Sequence, residues 1–317
     1  MTTNSNTPDG GQVGLRLALD AMGTRFELLI ADAGNESELR AVGEEALECI
    51  ADWHNRLSAF DAGSVVSAIN AAAGERAVRV DRDMLDLLQA CKAWHADSGG
   101  AFDIAIGSLM KHHGFRGGAP ADTQTPAFGM GHLEIDEAES AVFLSHPDVR
   151  LDFGAVAKGW AIDEACELMR EAGIASALLH GGSSTARAIG SRPDGQPWRI
   201  KVCADEHAPI VLLSDASFSV SAPSGRLNDN QEGHVLDPRS GLPANCAGFA
   251  AAVVYSAAES DAWSTALLVL GERPGSMRAE IASILHGTHS AQTEWSIEGE
   301  SAPRVIADPK RDLEKGT

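Results

Sequence analysis

A chain of 317 residues is long enough for one large domain or two small ones, with apolar material for a sizeable core. Its 44% hydrophobic and 22% charged residues are ordinary for a globular protein, and no long apolar run is present to cross a membrane as a helix. The formal net charge of −20 repels nucleic acid and anionic membranes, so neither is expected as a main partner, and an anionic ligand would need local help from a metal, a lysine or helix-end amides.

Residues 1–14 read as a disordered lead-in, 15–306 as a single domain, and 307–317 as a charged tail. The polar opening MTTNSNTPDGGQVG lacks the apolar stretch of a signal peptide, so as written the chain is expected to be cytoplasmic; a leader removed from it would place it outside the cytoplasm. The alternating GLRLALDAMGTRFELLIA predicts a hairpin turning at Met22-Gly23-Thr24. Helical spacing predicts amphipathic helices over 36–58 and 82–98, the second stopped by Gly99-Gly100. After AFDIAIGSLM comes a Gly-rich stretch, and the Gly, Pro and Thr of 118–128 would suit a hinge if the domain has two lobes.

Strands are expected near 131–136 and 141–145, then a helix over 157–173 with Gly173 as its cap. SALLHGG reads as a buried strand ending in a glycine pair, followed by strands near 197–203, 209–213, 217–221 and 247–255 and a helix from about Glu259 to Gly271. Strands and helices are interspersed without strict βαβ alternation. The expected class is therefore α+β, mixed or antiparallel sheets layered with helices. The five cysteines, Cys49, Cys91, Cys166, Cys203 and Cys246, are scattered without a CxxC, which argues against a disulfide framework or a zinc site.

Three stretches could carry chemistry. In LDFGAVAKGWAID (151–163), Asp152 ends a strand, Gly154 and Ala155 turn, and Lys158 enters the first helical turn; such a junction points free amides outward and suits a phosphate. Tight strand–helix packing with a surface lysine explains the same residues. In GHVLDPRSGLP (233–243), His234 precedes an apolar pair and an Asp-Pro turn, so it is either a general base or part of a plain loop. In SDAWSTALLVLG (260–271), Asp261 and Thr265 share one helix face and offer the hard oxygens Mg²⁺ prefers; a helix-start acid and a back-bonded hydroxyl would look the same. His112-His113 reads as a surface feature.

Taken together and in order, MGTRFEL, NRLSAFDAGSVVSAIN, SGGAFDIAIGSL, LDFGAVAKGWAID, ALLHGG, HVLDPRSGLP and DAWSTALLVLG resemble the ApbE family of FAD:protein FMN transferases across about residues 15–275. The resemblance implies an ApbE-like fold and Mg²⁺-dependent transfer of FMN from FAD to a Thr or Ser hydroxyl of an acceptor protein, with release of AMP. It also implies that Met22 and Phe60 flank the flavin, that Ala101, Phe102 and Asp103 line the FAD site, and that Asp152 and Lys158 hold the dinucleotide. His234 and Val235 would lie over the active centre. Mg²⁺ would be held by the Ala155 carbonyl, Asp261 and Thr265, with His234 or Asp261 as the base. Hydrolysis of FAD to FMN and AMP, or non-catalytic FAD binding, are the alternatives on the same scaffold. The sequence departs from the family at Ser221-Ala222-Pro223-Ser224-Gly225, where Thr-Ser-Gly is usual, and at Ala68, where arginine is usual. Those departures bear on acceptor recognition rather than on FAD and Mg²⁺ binding.

Overall fold

The structure, a computed structural model, describes residues 14–115, 124–205, 207–223, 233–244, 248–287, 295–299 and 305–306. The expected lead-in, the tail, most of the 118–128 hinge, Ser224, Gly225 and Cys246 lie outside the described residues.

In chain order the elements are β1 (Leu15–Ala21), β2 (Thr24–Ile30), α1 (Glu36–Leu57), α2 (Val65–Ala71), β3 (Val78–Arg79), α3 (Arg82–Asp97) and α4 (Gly107–His112). A 3₁₀ turn (Met130–His132) leads into β4 (Leu133–Asp136) and β5 (Ala141–Leu144), then α5 (Ala157–Glu171), β6 (Ala177–Gly181) and β7 (Thr185–Ile189). Next come β8 (Trp198–Lys201), β9 (Ile210–Leu213), β10 (Ala216–Ser221), β11 (Leu236–Asp237), β12 (Leu242–Pro243) and β13 (Phe249–Val254). The last are α6 (Ala257–Leu270), β14 (Ala282–His286), β15 (Trp295–Glu298) and β16 (Val305–Ile306).

Eight strands form one sheet in the order β1-β2-β6-β7-β10-β13-β14-β15, antiparallel at every pairing. Small sheets β16-β9-β8 and β3-β5-β4 and the hairpin β11-β12 flank it. The α+β expectation holds. Period-2 alternation gives the large sheet two apolar faces. Leu28, Leu179, Ala252 and Val254 join a core under α1, α5 and α6. Phe218, Ala251 and Val253 join a second core with Trp198, Val211 and Leu213 of β8 and β9. The first core draws on residues from Ala21 to Leu285, on both sides of 118–128.

Most expected elements appear within a few residues of their expected bounds. The last helix starts two residues earlier than the sequence suggests, because Ser256 caps it by accepting a hydrogen bond from the Glu259 amide. Short α2 and α4, and strands β3, β7, β14 and β15, lack a readable period in the sequence. On β7 and β10 the helix-facing positions are polar: Thr185, Arg187, Ser217 and Ser219 are all buried. Buried polar groups need partners; the Tyr255 carbonyl serves Ser217, and α5 and α6 supply the others. Arg187 reaches Asp163 Oδ1 and Glu167 Oε1 of α5, each at 2.5 Å. Asp163 in turn accepts from the Ala257 and Ala258 amides at 2.8 and 2.9 Å and from Ser256 Oγ at 2.6 Å, so it caps α6 from a neighbouring helix. Burial pushes the Asp163 carboxyl up from its ordinary value, opposed by Arg187 and these donors.

Candidate functional site

The α5–α6 crossing builds the centre of the site. A Cβ on Gly159 would lie 2.2 Å from the Ala257 carbonyl oxygen, so only glycine allows the two helices this approach. The approach brings the Gly159 amide 2.8 Å from Asp261 Oδ2, to which it donates. Gly159 lies in the first turn of α5, which opens after Val156, so its amide has no acceptor within the helix and Asp261 takes it.

Asp261 is 3% exposed. Its Oδ1 accepts from Thr185 Oγ1 at 2.6 Å and Ser219 Oγ at 2.5 Å, and Lys158 Nζ stands 4.0 Å from Oδ2. One turn along α6, Thr265 Oγ1 lies 3.3 Å from Ser221 Oγ, which also meets Ser264 Oγ at 2.9 Å. Lys158, Asp261 and Thr265 are thereby tied to one hydroxyl-rich seam between α5, α6, β7 and β10. Thr185, Ser219 and Ser221 are members that the sequence reading missed. Their only signal was polar residues at alternate positions of strands, a pattern that ordinarily marks a solvated face.

Whether this seam fits a divalent cation is decided by its donors. A buried carboxylate and a hydroxyl one turn along the same helix, with the Ala155 carbonyl just before the start of α5, are hard oxygens of the kind Mg²⁺ takes. Among the described residues no three His, Cys, Asp or Glu side chains gather as a metal cluster, so a cation here relies on one carboxylate and neutral oxygens. The donor set fits.

Two of the other predicted residues, Asp103 and Asp152, lie on segments that touch each other. The Asp152 amide donates to the Ile104 carbonyl at 2.7 Å and its Oδ1 accepts from Gly154, so segments 101–107 and 150–158 run side by side. Asn70 of α2 braces the same segment, accepting from the Leu151 amide at 2.7 Å and donating to its carbonyl at 3.1 Å. Ala101 and Phe102 are buried in the core. Asp103 Oδ1 accepts from Ala105 and Oδ2 from Met130, at 2.6 and 2.8 Å, so its carboxylate pins this turn to the chain near 130. Burial pushes the Asp103 carboxyl up, opposed by those amides and by His95.

Met22 holds a left-handed φ of 50° at the β1–β2 turn and gives its amide to His54 Nδ1 at 3.2 Å, beside a cleft of about 430 Å³. Thr24 abuts Gly182, bringing this turn against the HGG turn after β6. Phe60, on the loop between α1 and α2, is 73% exposed. Gly233 packs against Pro223, two residues beyond Ser221, so His234 and the buried Val235 enter beside the end of β10. The hairpin that follows is set by Asp237, which binds the Arg239 side chain at 2.8 and 2.9 Å; those hydrogen bonds hold its carboxyl below the usual range. His113, expected as a surface feature, bonds the Gly241 carbonyl at 2.9 Å and docks α4 on this hairpin. Cys91 and Cys166 are fully buried, and burial pushes the Cys166 thiol up to about 12, so neither is a nucleophile.

The ApbE family model matches residues 22–284. Among curated relatives, an FAD:protein FMN transferase of Klebsiella pneumoniae is 31% identical over 74% of this chain and 77% of its own. One of Salmonella typhimurium is 29% identical over 79% and 77%. In fold, the ApbE protein of Thermotoga maritima aligns with a TM-score of 0.77 at 23% identity over 95% of this chain and 98% of its own. The apo flavinyl transferase ApbE of Pseudomonas stutzeri aligns at 0.75 and 24% identity, over 92% and 97%.

Proposed function

The chain belongs to the ApbE family, and from that premise we propose that it transfers FMN from FAD to a Thr or Ser hydroxyl of an acceptor protein, releasing AMP, with Mg²⁺ required. The observation that carries the reading is the Gly159 amide donated to Asp261, which brings the start of α5, with Lys158, against Asp261 of α6. Among the described residues no helix is long and apolar enough to cross a membrane.

The acceptor oxygen forms a bond to the FMN-side phosphorus as that phosphorus loses the oxygen that leaves with AMP. A divalent cation held by the Ala155 carbonyl, Asp261 and Thr265 would neutralise charge on the pyrophosphate. Lys158 adds a positive charge in the first turn of α5, beside the Gly159 amide that Asp261 holds. Asp261 is buried under three donors and is poorly placed to take a proton from an incoming hydroxyl. His234, beside the end of β10, is the base this arrangement favours. Asp152 and Asp103 act by shaping the two loop segments that border the FAD site, and Met22 and Phe60 would flank the flavin ring.

The test is incubation with FAD, Mg²⁺ and a domain carrying an acceptor threonine. The expected result is AMP release matched by FMN mass on the acceptor. AMP without label would leave hydrolysis to FMN and AMP, and intact FAD would exclude both reactions.

A further inference from the structure

Thr185 and Ser219 are directly paired across β7 and β10, and both hydroxyls face α6. They stand 2.6 and 2.5 Å from the same atom, Asp261 Oδ1. A carboxylate oxygen presents two acceptor positions, so Oδ1 is filled. Oδ2 holds one donor, the Gly159 amide at 2.8 Å, and keeps one position open with Lys158 Nζ 4.0 Å away. Ser264 Oγ, 3.3 Å from Ser219 Oγ and 3.0 Å from the Asp261 carbonyl, fixes the serine from behind.

We infer that Thr185 and Ser219 are positioning residues that restrict Asp261 to single-point binding of a cation through Oδ2, and that they thereby make the site prefer Mg²⁺ to Ca²⁺. The inference rests on the metal reading above and deepens it. Ca²⁺ takes six to eight oxygens at about 2.3–2.6 Å and readily uses both oxygens of one carboxylate. Mg²⁺ needs near-octahedral geometry at about 2.0–2.1 Å and is content with one. With Oδ1 occupied by two hydroxyl protons, the bidentate mode is closed. In this role the hydroxyls act through the carboxylate they bond. If they were only satisfying a buried structural aspartate, removing them would change stability and leave metal preference alone.

The test is binding of Mn²⁺ to the full chain, followed by electron paramagnetic resonance, with Mg²⁺ and Ca²⁺ as competitors and no FAD present. The expected result is displacement of Mn²⁺ by Mg²⁺ at lower concentration than by Ca²⁺ in the wild type. In Thr185→Val/Ser219→Ala the Mn²⁺ and Mg²⁺ affinities fall about tenfold or more and the Mg²⁺/Ca²⁺ preference narrows, while Thr185→Ser keeps the wild-type preference. An unchanged preference in the folded double variant overturns the inference and leaves the metal reading standing. If the double variant does not fold, Ser219→Ala alone is read by the same ratio. A wild type that binds no Mn²⁺ overturns the metal reading, and the inference with it.

Discussion

The proposed mechanism gives His234 and Asp261 different work, and substitutions separate them. Asp261 is locked between two helices and two strands by three donors, whereas His234 enters on the segment that packs against Pro223 at the end of β10. His234→Ala should lower the transfer rate by about 100-fold or more, the usual share of a general base, and leave Mn²⁺ binding unchanged; transfer at the wild-type rate would remove His234 from the mechanism. The residues of the centre differ in how legible they were. Asp261 and Thr265 announce themselves by a four-residue spacing of hard oxygens, and Lys158 by its place at a strand-to-helix junction. Thr185, Ser219 and Ser221 do not. In a strand whose two faces are both buried, the polar half of an alternating pattern cannot be told from a solvated face until the helix above it is known.

At the scale of elements, the crossing of α5 over α6 both holds the fold and makes the site. Gly159 sits where the two helices meet. The structure assigns its missing side chain to the Ala257 carbonyl and its amide to Asp261. Gly159→Ala forces the helices apart and should cost about 1–3 kcal/mol in urea unfolding, as overpacked cores do. The same shift pulls the amide from Asp261, so Mn²⁺ affinity should fall with it. Gly131→Ala, with nothing within 4 Å of the new methyl, is the control and should be near neutral. A folded Gly159→Ala with wild-type stability and metal affinity would refute this account of the crossing. Long helices α1, α3 and α5 were readable because their apolar period repeats over several turns, and α6, buried on nearly every side, as a long apolar stretch closed by Gly271. Strand β7 and helices α2 and α4 were not, because they span five, seven and six residues, too few for a period to declare itself.

At the scale of the whole molecule, a protein of charge −20 must bind an anionic dinucleotide against its own field. Local groups, Lys158 and the positive end of the α5 dipole, act within a few ångströms, whereas the repulsion is long-ranged and is screened first by salt, with a Debye length of about 8 Å at physiological strength. Raising NaCl from low strength to that value should therefore leave kcat/KM for FAD level or higher; a steep fall would mean that an attractive long-range field operates after all. The antiparallel eight-stranded sheet could be anticipated only as a class, because strand order depends on which distant segments meet, and no local pattern encodes that. The central claim is that Asp261, tied to the start of α5 through the Gly159 amide, holds the cation that FMN transfer requires. The most direct measurement is the mass of an acceptor domain after incubation with FAD and Mg²⁺, for the wild type, for the wild type with EDTA, and for Asp261→Asn. The account predicts FMN on the acceptor with one AMP released per label in the first case, and a loss of about 100-fold or more in the other two. Equal labelling by Asp261→Asn, or labelling indifferent to EDTA, would contradict it.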